Sequence, residues 1–212
     1  DYEEALPLYQ RALAINERVR GPEHPDTARS LNNLAALYDN QGDYEEALPL
    51  YQRALAINER VRGPEHPDTA RSLNNLAALY DNQGDYEEAL PLYQRALAIN
   101  ERVRGPEHPD TARSLNNLAA LYDNLGKNEE ALPLLERALE VRKRVLGPEH
   151  PDTAITLNNL AALYRSQEKY EEALSLLEQA LAFINKALGP NHPDTKTVLA
   201  NRAALLEIIG KK

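Results

Sequence analysis

An internal repeat of 42 residues constrains this 212-residue chain more than any other feature. The first three copies differ from one another at one position only, where Leu125 replaces Gln, and two looser copies follow. Repetition at a period of about 20 to 50 residues is typical of stacked units that each contact only their neighbours. The sequence therefore predicts a single solenoid over residues 1–212. Its units are residues 1–42, 43–84, 85–126, 127–168 and 169–212.

Each period contains two helical patterns, and residues 43–84 serve as the example. The first pattern runs from Asp43 to about Arg62 and the second from about Pro67 to Asn82, with the short connector GPEH between them. Apolar residues recur at three- and four-residue spacing, and no segment shows the alternation of a strand. A short connector makes consecutive helices antiparallel neighbours. The pattern predicts an all-α stack of helix hairpins.

The ends of these helices carry recognisable signals. Gly42 suits the left-handed residue that ends a helix, and Asp43 with Glu46 predicts a capping box at the start of the next. Pro49 lies inside the first helical pattern, where it removes one hydrogen bond. Because the apolar pattern continues past it, we expect the helix to bend there rather than end.

Composition and charge exclude several classes of function. Charged residues make up 27% of the chain, and no apolar run approaches the roughly 18 to 20 residues of a membrane span. The absence of cysteine excludes disulfides and cysteine nucleophiles and leaves the redox compartment undetermined, although we expect a cytoplasmic protein. Each of the three close copies has a net charge of −3, so nucleic acid is not expected as a partner. Because the chain also lacks methionine, we expect it to be part of a longer protein.

The string LNNLAALYDNQGDYEEALPLYQRALAI resembles a tetratricopeptide repeat. The period of 42 and the HPDTA helix start are similar to the longer variety of kinesin light chains and of multi-repeat microbial signalling proteins. The resemblance implies a right-handed α-α superhelix, a solenoid of antiparallel helix hairpins in which the LNNLA helix is the first of each pair. The matching residues are Leu73, Leu76, Ala77, Tyr80, Gly84, Tyr86, Ala89, Tyr93, Ala96 and Leu97.

The last two copies depart from this pattern. Leu135 and Leu177 replace the second-helix tyrosine, and Asn128 replaces the residue equivalent to Tyr86. Lys127 and Lys169 replace the aspartate at the predicted cap. We expect these changes to weaken the helix caps and to leave the fold unchanged.

A pair of asparagines interrupts each of the first four otherwise apolar first helices, where such side chains are unfavourable unless something binds them. The resemblance implies that first helices line a concave groove and that the second asparagine of each pair bonds the backbone of an extended peptide. An amide that ties one helix to the next is an equally open interpretation, and both can hold together. Arginines and aspartates on compatible faces would set the charge preference. The predicted peptide-binding residues are Arg29, Asn32, Asn33, Asp39, Arg71, Asn74, Asn75, Asp81, Arg113, Asn116, Asn117, Asp123, Asn158, Asn159 and Asn201.

No pattern in the sequence predicts catalysis, a cofactor or a metal. The histidines His24, His66, His108, His150 and His192 share one place in the repeat. Equivalent atoms in stacked hairpins are about 10 Å apart, too far for a shared metal, so we expect a turn or helix-start role. Adjacent acidic residues such as Glu45 and Glu46 point about 100° apart on a helix and lack a nucleophile, so we expect no enzyme.

Three functions remain open. The chain is expected to be a non-catalytic scaffold for a protein or an extended peptide, with five first helices spanning about 40 Å, or about 12 extended residues. The alternatives are a structural spacer or head-to-tail rod, and the sensor array of a larger signalling protein.

The two terminal helices bear on the rod interpretation. The N-terminal helix is a second helix without its first, and the C-terminal helix is a first helix without its second. We therefore expect uncovered apolar residues at each end. We expect a monomer in dilute solution, because Arg202 opposes burial at one end, with head-to-tail stacking favoured in crystals. The apolar residues expected to be uncovered are Leu6, Tyr9, Leu13, Leu205, Ile208 and Ile209.

Overall fold

The computed structural model describes residues 2–211, and over that range the chain consists of helices joined by short turns, with no strand. The predicted all-α class and the hairpin arrangement are confirmed. The helices are α1 (Tyr2–Arg20), α2 (Pro25–Gln41), α3 (Tyr44–Arg62), α4 (Pro67–Gln83), α5 (Tyr86–Val103), α6 (Pro109–Asn124), α7 (Asn128–Val145), α8 (Pro151–Ser166), α9 (Tyr170–Leu188) and α10 (Pro193–Gly210).

Contacts divide the chain into two compact units, Asp1–Gly105 and Pro106–Lys212. In the first unit each helix packs against the next, and α2 also touches α4. The second unit repeats the arrangement, with α8 touching both α6 and α10. In the first unit the odd-numbered helices meet through side chains, since Arg53 of α3 pairs with Glu17 of α1 at 2.7 Å and Arg95 of α5 pairs with Glu59 of α3 at 2.6 Å. We call the surface formed by the even-numbered helices of a unit its inner face. The division into five repeats stays a prediction.

Small and large apolar residues alternate in the core of each unit. Between α2 and α3, the side chains of Ala28, Leu31, Ala54 and Ile57 form one cluster in which every member is at most 1% exposed. Alanine opposite a branched side chain lets helix axes approach to about 8–10 Å. Each buried leucine or isoleucine contributes about 1.5–3 kcal/mol, and the pattern recurs in both units.

Each first helix begins at a histidine. The Nδ1 atom of His66 accepts a 3.0 Å hydrogen bond from the backbone N–H of Asp68, and Pro67 occupies the first helical turn. The hydroxyl of Thr69 donates a 2.8 Å bond to the carbonyl of Gly63, which closes the preceding turn. The expected helix-start role of the histidines is confirmed.

The predicted capping box at the start of the second helices is wrong. The side chain of Asp43 makes no capping hydrogen bond, because its ψ of 64° is not the extended conformation from which a cap reaches the helix N–H groups. The N–H that Glu46 would have accepted instead donates to the carbonyl of Tyr38 at 2.9 Å. Lys127 and Lys169 have similar backbone angles, so these substitutions remove no cap bond.

The left-handed residue between the helices is confirmed at Gly42, which has a φ of 83°. Its N–H donates to the carbonyl of Asp39 at 3.0 Å. Together with the bond from Asp43 to Tyr38, this forms a Schellman turn. The fourth copy makes the same turn with Glu168, a residue other than glycine, at a φ of 61°.

Helix α3 continues through Pro49 without interruption, as expected. The same holds for α1, α5 and α7, which contain Pro7, Pro91 and Pro133. The bend expected at these positions stays a prediction.

Candidate functional site

The asparagine pairs on the inner face differ in exposure within each pair. The first members Asn32, Asn74 and Asn116 are buried, with exposed fractions of 8%, 3% and 5%. The second members lie nearer the surface: Asn33 is exposed, and the others are half-buried. In the first three pairs the second asparagine is therefore the one that a ligand can reach, whereas both members of the pair Asn158 and Asn159 are half-buried.

Amide hydrogen bonds link these pairs from one first helix to the next. In the second unit, Nδ2 of Asn159 donates to Oδ1 of Asn116 at 3.2 Å, and Nδ2 of Asn201 donates to Oδ1 of Asn158 at 2.9 Å. In the first unit, Asn75 makes a longer contact of 3.5 Å with Asn32. The interhelical tie is thus present. Because a primary amide has two N–H groups and two lone pairs, each tie uses only part of its capacity.

A second polar layer lies beneath the inner face, and the sequence interpretation missed it. The hydroxyl oxygen of Ser72 accepts bonds from Asn32 at 3.1 Å and from Asn58 at 2.9 Å. Asn58 lies four residues after Ala54 in the apolar stripe of α3, which was the available signal. These bonds connect the second helix α3 to the two first helices α2 and α4.

The fourth copy builds this layer with a buried cation. Arg142 takes the place of Asn58 and donates to the hydroxyl of Thr156 at 2.6 Å and to the carbonyl of Asp152 at 2.7 Å. Burial lowers the pKa of its guanidinium, and the Asp152 carboxylate opposes that shift. Two charge-assisted bonds hold the cation at a position that carries an asparagine in the first three copies.

The predicted arginines lie at the beginning of the first helices. Arg29 pairs with Asp26 of its own helix at 3.0 Å, Arg113 pairs with Asp110 at 3.2 Å, and Arg71 pairs with Asp68. Such exposed pairs contribute about 0–1 kcal/mol. In the first unit, Arg29, Arg71 and Asn32 line a polar cavity of about 40 Å³.

The predicted aspartates lie at the opposite end of the same helices. Asp39 follows Arg29 by ten residues, a rise of about 15 Å, so the two side chains do not form one site. Oδ1 of Asp39 accepts a 3.0 Å bond from Asn82, and burial raises the pKa of this carboxyl. The pKa of the neighbouring Tyr51 hydroxyl is raised by burial and, to a smaller extent, by the charge of Asp39.

A larger cavity opens on the inner face of the second unit, with a volume of about 220 Å³. It brings together predicted site residues from three first helices, including Asp123 of α6, Asn159 of α8 and Asn201 of α10. Leu135 of α7 forms part of its wall. Here the structure gathers a carboxylate and four asparagine amides around one open space.

Two further features of the molecule bear on the classes of function. None of the described helices has the length and apolar character needed to cross a membrane. Between Tyr2 and Lys211, no group of three or more potential ligand side chains is arranged to hold a metal ion.

Comparison with solved structures finds repeat proteins of the same architecture. BtubC (BKLC) from P. vanneervenii is 28% identical with a TM-score of 0.77, over 99% of this chain and 85% of that one. A putative kinesin light chain of Podosopora anserina with nearly identical TPR-like repeats is 32% identical with a TM-score of 0.66, over 88% of this chain and 89% of that one. A point variant of the same Podosopora anserina protein is 31% identical with a TM-score of 0.71, over 89% of each chain.

The family comparison covers the whole chain. No curated protein sequence matches it. The profile of the tetratricopeptide repeat matches in overlapping segments, at residues 1–59, 40–101, 82–143, 124–186 and 157–212. Together with the helix hairpins and the kinesin-light-chain-like neighbours, these matches show that the chain belongs to the tetratricopeptide repeat family.

Proposed function

We propose that this chain is a non-catalytic scaffold that binds an extended protein segment along the inner face of a unit. Tetratricopeptide repeats generally mediate protein–protein interaction, which supports the general class. The proposal adds the surface and the conformation of the ligand, and it keeps the cytoplasmic location expected from the sequence.

The observation that carries the proposal is the hydrogen-bonding capacity that remains in the asparagine amides of the interhelical ties. After its bond to Asn158, the amide of Asn201 retains one N–H and its oxygen for a ligand. A peptide backbone in extended conformation offers both an acceptor and a donor. Because the tie fixes the orientation of the amide, binding loses little side-chain entropy.

The dimensions of the second unit set the length of the segment. Three first helices at about 8–10 Å spacing span about 20 Å. At about 3.3 Å per extended residue, this corresponds to about six residues. A short linear segment therefore suits the surface of one unit.

The experiment starts from peptides selected from a random 12-residue library for binding to the intact chain. Affinity would be measured by fluorescence polarisation for Asn159→Ala and Asn201→Ala together. Losing two backbone hydrogen bonds should weaken binding by about tenfold or more. Asn185→Ala, an exposed asparagine on α9, is the matched surface control.

A second variant separates binding from the interhelical tie. Asn116→Ala removes the acceptor of the Asn159 tie and leaves the Asn159 amide itself in place. It should lower the free energy of unfolding and reduce peptide affinity much less than the double variant. Equal losses of affinity in both variants would show that the amides serve the fold alone, and binding that survives the double variant would exclude this surface.

Head-to-tail assembly is the second candidate, favoured by the exposure of α1. Tyr9 is 38% exposed, whereas the equivalent Tyr51 and Tyr93 are 3% exposed because a first helix covers them. Two of the apolar residues expected to be uncovered are not available for such a contact. Leu13 packs against the core between α2 and α3, and Leu205 is fully buried. On α10 the exposed apolar residues are Leu199 and Leu206.

Concentration-dependent light scattering tests this candidate. Growth into long species that Tyr9→Glu abolishes would support assembly in solution. A constant monomer mass up to high concentration would exclude it and agree with the expected monomer.

A further inference from the structure

We propose that the cavity beside Asp123 accepts a basic side chain, arginine or lysine, of the bound segment. This inference rests on the proposed function and deepens it, since it names the chemistry that the second unit selects. It concerns the space of about 220 Å³ that Asp123, Leu135, Asn159 and Asn201 line with neighbouring alanines.

One substitution opens the space. In the second and third copies, Tyr51 and Tyr93 stand at the position of Leu135 and are almost completely buried. Leucine has the inner part of that side chain and lacks the ring and the hydroxyl. Leu135 still packs in the core with Ala119 and Leu160, so the helices keep their places while the outer volume is vacated.

A second substitution weakens the hydrogen bonding of the carboxylate. In the first unit, Asn82 donates a 3.0 Å bond to Asp39. Ser166 takes the place of Asn82 beside Asp123, and its contact with that carboxylate is 3.5 Å long. The single hydroxyl proton of Ser166 is already directed to the carbonyl of Leu163 at 2.7 Å. The oxygens of Asp123 are thus left open to a stronger donor.

The lining matches the two parts of a basic side chain. Ala119, Ala162 and Leu135 provide an apolar surface for a methylene stem, and Asp123 provides the anion for the charged head. Burial raises the pKa of Asp123, which shows that the half-buried charge is poorly solvated. An apolar guest would bury this charge further without a partner, and an acidic guest would oppose it.

The volume and the surrounding groups support the same occupant. A cavity of about 220 Å³ far exceeds the roughly 10–15 Å³ that one water requires. Asn159 and Asn201 lie on the same cavity, where they can hold the backbone of the segment that carries the basic residue. The charge of Arg165 also acts on Asp123, so this exposed side chain is the competitor that a guest must displace.

The test titrates the isotope-labelled intact chain with N-acetyl-L-arginine amide, followed by NMR chemical shifts. N-acetyl-L-citrulline amide, which has nearly the same shape and no charge, is the matched probe. Arginine amide should shift the signals around Ala119 and Ala162 saturably and bind about tenfold more tightly than citrulline amide.

Three variants and one control assign the binding to the charge of Asp123 and to the space beside Leu135. Asp123→Asn and Leu135→Tyr should each weaken arginine amide binding by about tenfold, the first by removing the charge and the second by refilling the space. Leu135→Tyr restores the residue of three other copies, so it should fold, and circular dichroism would verify this. Arg165→Gln should tighten binding. Glu129→Gln makes the same change of charge as Asp123→Asn at an exposed site on α7 and should have no effect.

Equal binding of citrulline amide, unchanged binding by Asp123→Asn, or no saturable shift at this cavity would each overturn the inference. The two proposals fail separately. Selected peptides that bind the inner face without any preference for a basic residue would leave the scaffold proposal intact and exclude this one. If arginine amide binds in this cavity while the asparagine variants leave peptide affinity unchanged, this inference stands and the scaffold proposal is excluded.

Discussion

Single residues decide how the first helix of each pair begins and how the turn after it closes. A histidine starts each first helix by accepting an N–H bond, and a left-handed residue closes the turn into the next second helix. Both devices satisfy backbone groups that a helix end leaves open. They are also the positions where one substitution has a predictable effect.

The left-handed position of the fourth copy should be strained. Glu168 has a φ of 61°, where a side chain costs about 1 kcal/mol relative to glycine. Glu168→Gly should therefore raise the free energy of unfolding by about that amount, measured by urea denaturation. Glu168→Ala is the control, because it removes the same side-chain interactions and keeps the strain. A glycine variant no more stable than the alanine variant would contradict this account.

The histidine cap can be tested in the same way. His66→Ala removes the acceptor for the N–H of Asp68, so the free energy of unfolding should fall by about 1 kcal/mol. His66→Asn should recover most of the loss, since an asparagine oxygen is a good cap acceptor. If alanine and asparagine are equally destabilising, the imidazole acts by packing and the cap bond contributes little.

At the scale of helices, buried hydrogen bonds fix the position of α3 against α2 and α4. Ser72 accepts from both Asn32 and Asn58, so Ser72→Ala leaves two buried amides without that acceptor. The free energy of unfolding should fall by about 1–3 kcal/mol, measured by urea denaturation. Ser30→Ala is the matched variant and should cost less, because Ser30 accepts from the partly exposed Asn16 at 2.7 Å. A larger loss at Ser30 would contradict this ranking.

The helices themselves could be predicted from the sequence because their signals are local. Apolar spacing and the HPDTA start placed α4 correctly, and the glycine signal placed the turn at Gly42. The capping box failed because the preceding turn fixes the backbone of Asp43. Local signals do not show which backbone angles the neighbouring turn imposes.

The candidate site could be predicted only in part. The resemblance indicated the accessible asparagines, but the tie from Asn201 to Asn158 spans 43 residues and depends on how helices stack. The cavity at Leu135 was missed for a similar reason. The replacement of tyrosine by leucine is visible in the sequence, but the space that it opens depends on packing from α6, α8 and α10.

At the scale of the whole molecule, stability should grow with the number of copies. Near-identical units have near-identical internal and interface energies, so inserting another copy of residues 43–84 should raise the urea midpoint and steepen the transition. Circular dichroism over a series with one and two added copies would measure this. An unchanged midpoint would mean that the repeats unfold independently.

The spacing of the contacts between repeats has a consequence for how such a chain can lengthen. The amide ties join residues 43 apart, and the bond from Asn32 to Ser72 joins residues 40 apart, both close to the period of 42. Within each unit, one copy thus carries the amide donor and the copy before it carries the acceptor. An in-frame duplication of 42 codons supplies both partners at once, so the gene can gain repeats without a compensating mutation elsewhere.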